Sequence, residues 1–394
     1  FPQTYYTITS SAGPHGSINP SGNVTVNHGS DKLFTITPDA GYSINDVLVD
    51  GSSVGAVNFY TFTNVIEDHS ISATFISVAP GLVHNLTKGT YYNTIQAALN
   101  DADNDNTIEV ADGTYDESIT FPFIKKIILR SVNGAFSTII RGKHYSPTVT
   151  ADASREGTTL EGFAITHGSV NNERGIYTNG NLTIKNCIIS GNHAGNGGGI
   201  DNDGTLTIIG STISNNTVSW NGGGIWNKGS LIISGSIISG NTADMNGGGI
   251  DNDGTLTIIG STISGNTAAV LNGGGIWNNG PLSITESIIS GNTANSYAGG
   301  IYDYYGSLTI IGSTISGNSA DYNGGGICLH SYPGNITIGK TSDTDKNTIC
   351  ENHITGEGPS LGQQIRAFYS GSEYETYSLY ETYKGTNYIS VYCE

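Results

Sequence analysis

A column of residues that directly follow recurring isoleucines carries the side chains best suited to binding chemistry. In chain order this column reads Asp201, Trp226, Asp251, Trp277, Tyr302 and Cys328. If the isoleucines point inward from short strands, the residues after them point outward. Trp226 and Trp277 would then lie about 9.6 Å apart, two strand spacings, and their ring faces could stack on the sugars of an extended glycan. Asp201, Asp251 and Tyr302 would supply polar groups beside them.

The alternation of Asp and Trp also has a simpler interpretation. Residues 196–214 read NGGGIDNDGTLTIIGSTIS, and residues 246–264 repeat these letters unchanged. Duplication of a two-repeat unit would copy Asp and Trp without any selection for binding. Both interpretations stay open at this point.

A second column, five residues before each isoleucine, contains mostly large apolar groups. It reads Gly195, Trp220, Met245, Leu271, Ser296 with Tyr297 beside it, and Tyr322. These side chains could fold over the glycines that follow them and enlarge a core. If they are exposed instead, they form a patch of the kind that marks an interface.

The isoleucines themselves define a repeat. They are Ile176, Ile200, Ile225, Ile250, Ile276, Ile301 and Ile327, so the steps are 24, 25, 25, 26, 25 and 26 residues. A period near 25 residues is typical of a solenoid, in which each repeat is stable only against its neighbours.

The letters within one period indicate a parallel β-helix. Short β-type runs occur around Ile225, Leu231–Ile233 and Ile237–Ile238, separated by Gly or Asn and without helical spacing. We therefore predict an all-β, right-handed parallel β-helix with about 25 residues per coil and three strands per coil. A polar column supports the register, because Asn at a bend can bond to the same bend one coil away. This predicted structural ladder comprises Asn192, Asn216, Asn241, Asn266, Asn292, Asn318 and Asn352.

The parts outside the regular coils (176–352) divide the chain further. Residues 1–78 alternate between apolar and polar letters and predict a small β-sheet domain, followed by the solenoid over 79–357. Residues 94–102, TIQAALNDA, predict a helix that caps the first coil. Residues 358–394 are rich in Tyr and predict a hairpin across Lys384–Asn387, either as a C-terminal cap or as a surface for another subunit.

Three resemblances follow from these motifs. Residues 83–168, with the helix and the turn TIEVADGTYDE, resemble the pectate-lyase-like right-handed β-helix superfamily. The GG-x-I and I-x-x-N phrases resemble the repeats of chlamydial polymorphic outer-membrane proteins, which are secreted adhesins. Residues 1–78 resemble divergent internalin-type B repeats with a β-grasp-like fold. These resemblances imply a surface location and adhesion.

Composition limits the partners. Acidic residues outnumber basic ones 33 to 15, for a net charge of −18, so the chain would repel nucleic acid. No apolar run approaches the ~20 residues of a membrane span. The start at Phe-Pro-Gln suggests a mature chain that has lost an export signal. Of the cysteines, Cys328, Cys350 and Cys393 could form one disulfide, whereas Cys187 lies far from them.

Metal and catalytic chemistry are weakly indicated. The pairs Asp201/Asp203 and Asp251/Asp253 could offer oxygen ligands to Ca²⁺, but they are two coils apart and would need outside ligands. We predict no cofactor and no metal, with Ca²⁺ as the open alternative. The single irregular cluster of ionisable residues comprises His144, Asp152, Arg155, Glu156, Glu161, His167, Glu173 and Arg174. It shows no lyase or hydrolase signature.

The sequence therefore predicts a non-catalytic structural or adhesive protein of a microbial cell surface. Copies of the chain could join end to end into a fibre. The first alternative is a glycan-binding adhesin that uses the Trp/Asp column, and the second is a polysaccharide lyase or hydrolase.

Overall fold

Two separate hydrophobic cores organise the protein, one in the N-terminal region and one along the solenoid. The computed structural model describes residues 4–39, 42–77, 83–123, 125–143, 146–152, 157–167, 174–322, 324–330, 336–338, 347–350, 352–354, 365–367, 375–376, 382–384, 387–389 and 391–392.

The N-terminal region forms two small sheets around Ile8, Phe34 and Val47. Its strands are Tyr5–Ala12, Gly16–Asn19, Gly22–Asn27, Lys32–Pro38, Tyr42–Val49, Ser52–Gly55, Phe59–Phe62 and His69–Ser77. Five of them form one sheet and three form the other. The predicted β-sheet domain is therefore present, and its internalin-type character stays a prediction.

Four long sheets run along the solenoid, and they are numbered in the order in which their strands follow one another within a regular coil. The first sheet contains the strands that begin at the recurring isoleucines, together with those that continue it at either end: Ile119–Thr120, Val149–Ala151, Ile176–Thr178, Ile200–Asn202, Ile225–Asn227, Ile250–Asn252, Ile276–Asn278, Ile301–Asp303, Ile327–Leu329, Ile365–Ala367 and Glu375–Thr376. The second sheet contains Thr90–Tyr92, Val83–Asn85, Asn106–Val110, Ile127–Ser131, Thr158–Glu161, Asn181–Lys185, Thr205–Ile209, Ser230–Ser234, Thr255–Ile259, Pro281–Thr285, Ser307–Ile311, Ile336–Ile338, Asn387–Ile389 and Thr382–Lys384.

The third and fourth sheets complete each coil. The third contains Gly113–Asp116, Thr138–Gly142, Ala164–His167, Ile188–Ser190, Thr212–Ser214, Ile237–Ser239, Thr262–Ser264, Ile288–Ser290, Thr314–Ser316, Asn347–Cys350 and Val391–Tyr392. The fourth contains the two-residue strands His193–Ala194, Thr217–Val218, Thr242–Ala243, Thr267–Ala268, Thr293–Ala294, Ser319–Ala320 and His353–Ile354. The regular coils thus have four strands where three were predicted, because the inward Ala of the fourth gives little apolar signal.

The register of the coils follows the isoleucine period. Ile225 pairs with Ile200 on one side and with Ile250 on the other, in parallel. The Leu and Ile columns of the other strands pair in the same way and lie fully buried in one continuous core. The prediction of an all-β parallel β-helix with about 25 residues per coil is confirmed.

The asparagine column forms a continuous hydrogen-bonded chain between coils. Asn216 donates from Nδ2 to Asn241 Oδ1 at 3.0 Å, and its backbone N–H donates to the same oxygen at 3.0 Å. The Nδ2 of Asn241 repeats this contact with Asn266 at 2.9 Å. Because these residues are buried, each amide replaces water as the partner of its neighbour.

A second ladder follows the first sheet and was not predicted. Asn202 donates to Asn227 Oδ1 at 2.6 Å, Asn227 to Asn252 at 2.6 Å, and Asn252 to Asn278 at 2.7 Å. This ladder ends at the carboxylate of Asp303, which accepts from Asn278. The bend beside it needs glycine, since a Cβ at Gly229 would lie 1.9 Å from the carbonyl oxygen of Gly204.

The two ends of the solenoid contain the predicted helix and hairpin. The helix Ile95–Asp101 buries Ile95, Ala98 and Leu99, and Thr94 Oγ1 accepts from Ala97 N at 3.1 Å as the N-cap. Strands Thr382–Lys384 and Asn387–Ile389 pair antiparallel, and the latter joins Ile336–Ile338. The capping roles of both elements stay predictions.

Candidate binding site

The column after the isoleucines does not present its acids to solvent, contrary to the prediction. Asp201 and Asp251 are each only 1% exposed, and Tyr302 and Cys328 are also buried. The glycine run folds back over the outer face of the strand. The approach is so close that a Cβ at Gly247 would lie 2.7 Å from the backbone nitrogen of Asp251. Alternation along a strand predicts which side chains point outward, but it does not show that a loop covers them. The prediction of exposed acids was wrong for this reason.

The carboxylate of Asp201 lies in an ion-pair cluster. Arg174 Nη1 lies 2.7 Å from Asp201 Oδ2, and Lys228 Nζ lies 3.6 Å from Asp201 Oδ1 and 2.6 Å from Asp203 Oδ1. The same Nζ lies 3.7 Å from the centroid of the half-buried Trp226 ring, at cation–π distance. Burial raises the pKa of Asp201, and the two cations offset this only in part. A sugar would have to displace Lys228 to stack on that face of Trp226.

Asp251 has no comparable partner in the described part of the chain. Its Oδ1 is buried without a hydrogen-bond partner. Burial, with the nearby charge of Asp253, raises its pKa well above the ordinary value. The prediction that Asp201 and Asp251 are accessible hydrogen-bond acceptors for a glycan is therefore wrong.

Trp277 and three tyrosines of the predicted columns meet in one aromatic cluster. The Tyr297 ring lies 6.2 Å from that of Tyr302 and 6.0 Å from that of Tyr322, between centroids. Trp277 is half-buried, and its ring lies 6.0 Å from that of Tyr304. We call this the aromatic patch, and it comprises Trp277, Tyr297, Tyr302, Tyr304, Tyr305, Tyr322 and His330.

The sequence analysis missed Tyr304, Tyr305 and His330, although a signal was present. The repeat breaks at residues 295–306, which read NSYAGGIYDYYG. Ala298 replaces the first glycine of the run and keeps its positive φ, 59°. This coil tolerates the strain, places Tyr304 at the position that Asn279 and Lys228 occupy in other coils, and inserts Tyr305 before Gly306. Such a departure from copied sequence marks a candidate site.

The second column is at least partly exposed along the edge of the glycine bend. Trp220 is 55% exposed and Tyr322 is 62% exposed, whereas Met245, Leu271 and Tyr297 are half-buried. Their backbones continue the coil-to-coil bonding, since Met245 N donates to Trp220 O at 2.9 Å. The structure thus favours a surface stripe over a pure extension of the core.

The irregular ionisable cluster is only partly described. His144, Arg155, Glu156, Glu173 and the side chain of His167 lie outside the described residues. Of the remainder, Arg174 pairs with Asp201. In the described ranges no group of three or more His, Cys, Asp or Glu residues could hold a metal ion. Nor does any helix of those ranges have the length and apolarity to cross a membrane.

Two cysteine predictions differ in outcome. The Cys187 thiol is buried in line with the serine column, and burial raises its pKa to about 12. Its backbone N–H donates to Ser211 Oγ at 3.1 Å. The side chains of Cys350 and Cys393 lie outside the described residues, so a disulfide with Cys328 stays a prediction.

A match to a protein family agrees with the fold. Residues 175–343 match the protein family described as "Right handed beta helix region". Among solved structures, the A-module of the mannuronan C-5 epimerase AlgE6 of Azotobacter vinelandii is similar at 13% identity and a TM-score of 0.32. That similarity covers 71% of this chain and 95% of the module. No curated protein matches the chain. A similarity this distant carries no argument about activity.

Proposed function

We propose that this chain is a non-catalytic structural or adhesive protein of a microbial cell surface, whose contact surface is the aromatic patch. The observation that carries this proposal is the grouping of seven aromatic side chains where the copied repeat breaks. The solenoid provides a rigid support, because its coils are joined by buried amide ladders. An extracellular location follows from this role and from the sequence resemblances, and it belongs to the proposal.

The regular coils offer little else that could do chemistry. Their recurring asparagines bond to one another, and their serines bond to the backbone, as in the contact of Ser236 N with Ser261 Oγ at 3.1 Å. Asp201, Asp251 and Asp303 of the first sheet are buried. Polar atoms that are already bonded and hidden from water cannot act on a substrate without rearrangement. This supports binding over catalysis.

A glycan is the ligand class that the patch fits best. Tyr305 is 50% exposed and Tyr322 is 62% exposed, so both residues are accessible to a ligand in solvent. Aromatic rings supply apolar contact area to the faces of sugars, and tyrosine hydroxyls add hydrogen bonds. The surface differs from the one the sequence predicted, since Asp201 and Asp251 do not take part.

Binding to a glycan array would test this proposal. We expect the double variant Tyr305→Ala, Tyr322→Ala to lose about tenfold in affinity, since two aromatic contacts of about 0.5–1.5 kcal/mol each are removed. The matched control is Trp220→Ala, which removes an equally exposed ring from the same stripe outside the patch. Unchanged binding by the double variant, or an equal loss in the control, would remove the patch as the site.

End-to-end association of copies is a second part of the proposal. Unpaired strand edges favour pairing with another chain. In the second sheet the outermost described strands are Thr90–Tyr92 and Thr382–Lys384, at its two ends. Backbone pairing between copies would therefore extend the solenoid lengthwise. Negative-stain images that show only single short particles at high protein concentration would argue against it.

A further inference from the structure

The two identical phrases differ in how their aspartates are compensated. In the first phrase, residues 196–214, one ammonium nitrogen reaches both carboxylates: Lys228 Nζ lies 3.6 Å from Asp201 and 2.6 Å from Asp203. Arg174 adds a second positive charge at 2.7 Å from Asp201. In the first phrase, two carboxylates are therefore matched by two positively charged side chains.

The corresponding acids of the second phrase, residues 246–264, have no positively charged partner among the described residues. The position of Lys228 is taken by Asn279, one coil after the pair, and its Nδ2 donates to Asp253 Oδ1 at 3.2 Å. Among the described residues no Lys or Arg forms an ion pair with Asp251 or Asp253. Lys228 itself is held by Asp203 and by the Trp226 ring.

The buried carboxyl group of Asp251 points to a missing ligand. It is 1% exposed, and its Oδ1 has no hydrogen-bond partner in the described part of the chain. A buried charge without a partner is costly, so such groups pair, coordinate a metal or become neutral. In the first phrase Asp201 Oδ1 also lacks a hydrogen bond, but the ammonium nitrogen of Lys228 lies 3.6 Å from it, so a positive charge lies near both carboxylates there.

We propose that Asp251 and Asp253 together bind a hard divalent metal cation at the position equivalent to the Lys228 ammonium of the first phrase. Carboxylate oxygens are the ligands that Ca²⁺ and Mg²⁺ prefer, and both ions complete their shells with water. This inference goes beyond the proposed adhesive role and does not depend on it. It concerns a stabilising ion within the solenoid.

Thermal unfolding in EDTA and in excess CaCl₂ or MgCl₂ tests the site. An ion at about 100 times its dissociation constant should raise the Tm of the full chain by roughly 3 °C, since it binds only the folded state. Calorimetric titration should show one site per chain. An unchanged Tm with both ions would overturn the proposal.

The duplication itself supplies the decisive variants. Asn279→Lys copies the lysine of the first phrase into the second, so it should raise the Tm in EDTA and abolish the ion-dependent rise. Asp251→Asn removes the buried charge and should abolish the rise as well. Asp244→Asn, at an exposed acid elsewhere in the coils, should keep the full rise. If Asn279→Lys and Asp251→Asn both retain it, the ion binds only the general negative surface and the site does not exist.

Discussion

Residues 196–214 and residues 246–264 place the same 19 letters in two settings. Inside the solenoid the settings agree: Asn202 donates to Asn227 at 2.6 Å, and Asn252 donates to Asn278 at 2.7 Å. Outside they differ, because Asp201 has two cationic partners and Asp251 has none in the described residues. The comparison shows that the neighbouring coils determine the environment of a residue as much as its own sequence does.

The interior half of this comparison predicts the largest effect. We expect Asn252→Leu to lower the free energy of unfolding by about 2–5 kcal/mol, because the buried amides of Asn227 and Asn278 each lose a partner. Asn202→Leu should cost less, because Asn202 begins the ladder next to Thr178 and only the side chain of Asn227 loses an asparagine partner. Guanidinium unfolding of both variants would measure it. Ile232→Thr is the control, since it places at an exposed position the residue found at Thr207 and should cost under about 0.5 kcal/mol. Equal losses for the two asparagines would show that a neighbour on both sides adds nothing to the contribution of a ladder residue.

The end of the same ladder predicts a pH-dependent effect. Burial raises the pKa of Asp303 from 3.8 to about 6, and the bond from Asn278 lowers it only in part. The folded state therefore holds its proton at higher pH than the unfolded chain does, so stability is present below about pH 4 and is lost as the pH rises to about 6. The loss is about 3 kcal/mol, from roughly 2.2 pKa units at 1.36 kcal/mol each.

Asp303→Asn should remove this loss, since Asn continues the ladder without a charge. We expect the variant to be more stable than the natural chain at pH 7 and nearly equal to it at pH 4, as measured by unfolding at both values. Equal stability at pH 7 would show that the Asp303 carboxyl group is not perturbed in the folded state.

The exterior half predicts the smallest effect. Lys228→Asn gives the first phrase the neighbour that the second phrase has, and Arg174 still pairs with Asp201. Because Lys228 is about one third exposed, we expect a loss of only about 1 kcal/mol at pH 7. The loss should shrink at low pH, because burial raises the pKa of Asp201 and favours its neutral form there. A variant as stable as the natural chain at pH 7 would show that Lys228 does not stabilise the pair.

Most of the fold was predictable from sequence because identical inward letters recur at a fixed period. Ile225, Ile250 and their equivalents occupy the same position in successive repeats, and the structure pairs them as predicted. The fourth strand was missed because Thr242–Ala243 has no apolar run. Nothing in the local letters showed that the loop at Gly247 lies over Asp251, since that depends on a path in space rather than on alternation along a strand.

The candidate site was predictable only in part. Trp277, Tyr297, Tyr302 and Tyr322 stood out as members of columns, and the structure places them in one cluster. Tyr304 and Tyr305 belong to no column of large residues, and in the sequence they are marked only by the break of the repeat at residues 295–306. Breaks in a copied pattern, rather than the pattern itself, are therefore the better guide to binding surfaces in a solenoid.

The close backbone packing at Gly229 and Gly204 affects how the molecule can change in length. The backbone pairs between neighbouring regular coils recur after one full coil, so removing residues 226–250 would join Ile225 to Asp251 and restore equivalent backbone pairs. A deletion or duplication of one complete coil would alter the reach of the rod by about 4.8 Å without redesign of either end. Partial coils would misalign the glycine column, so the distance between the ends can vary only in whole increments.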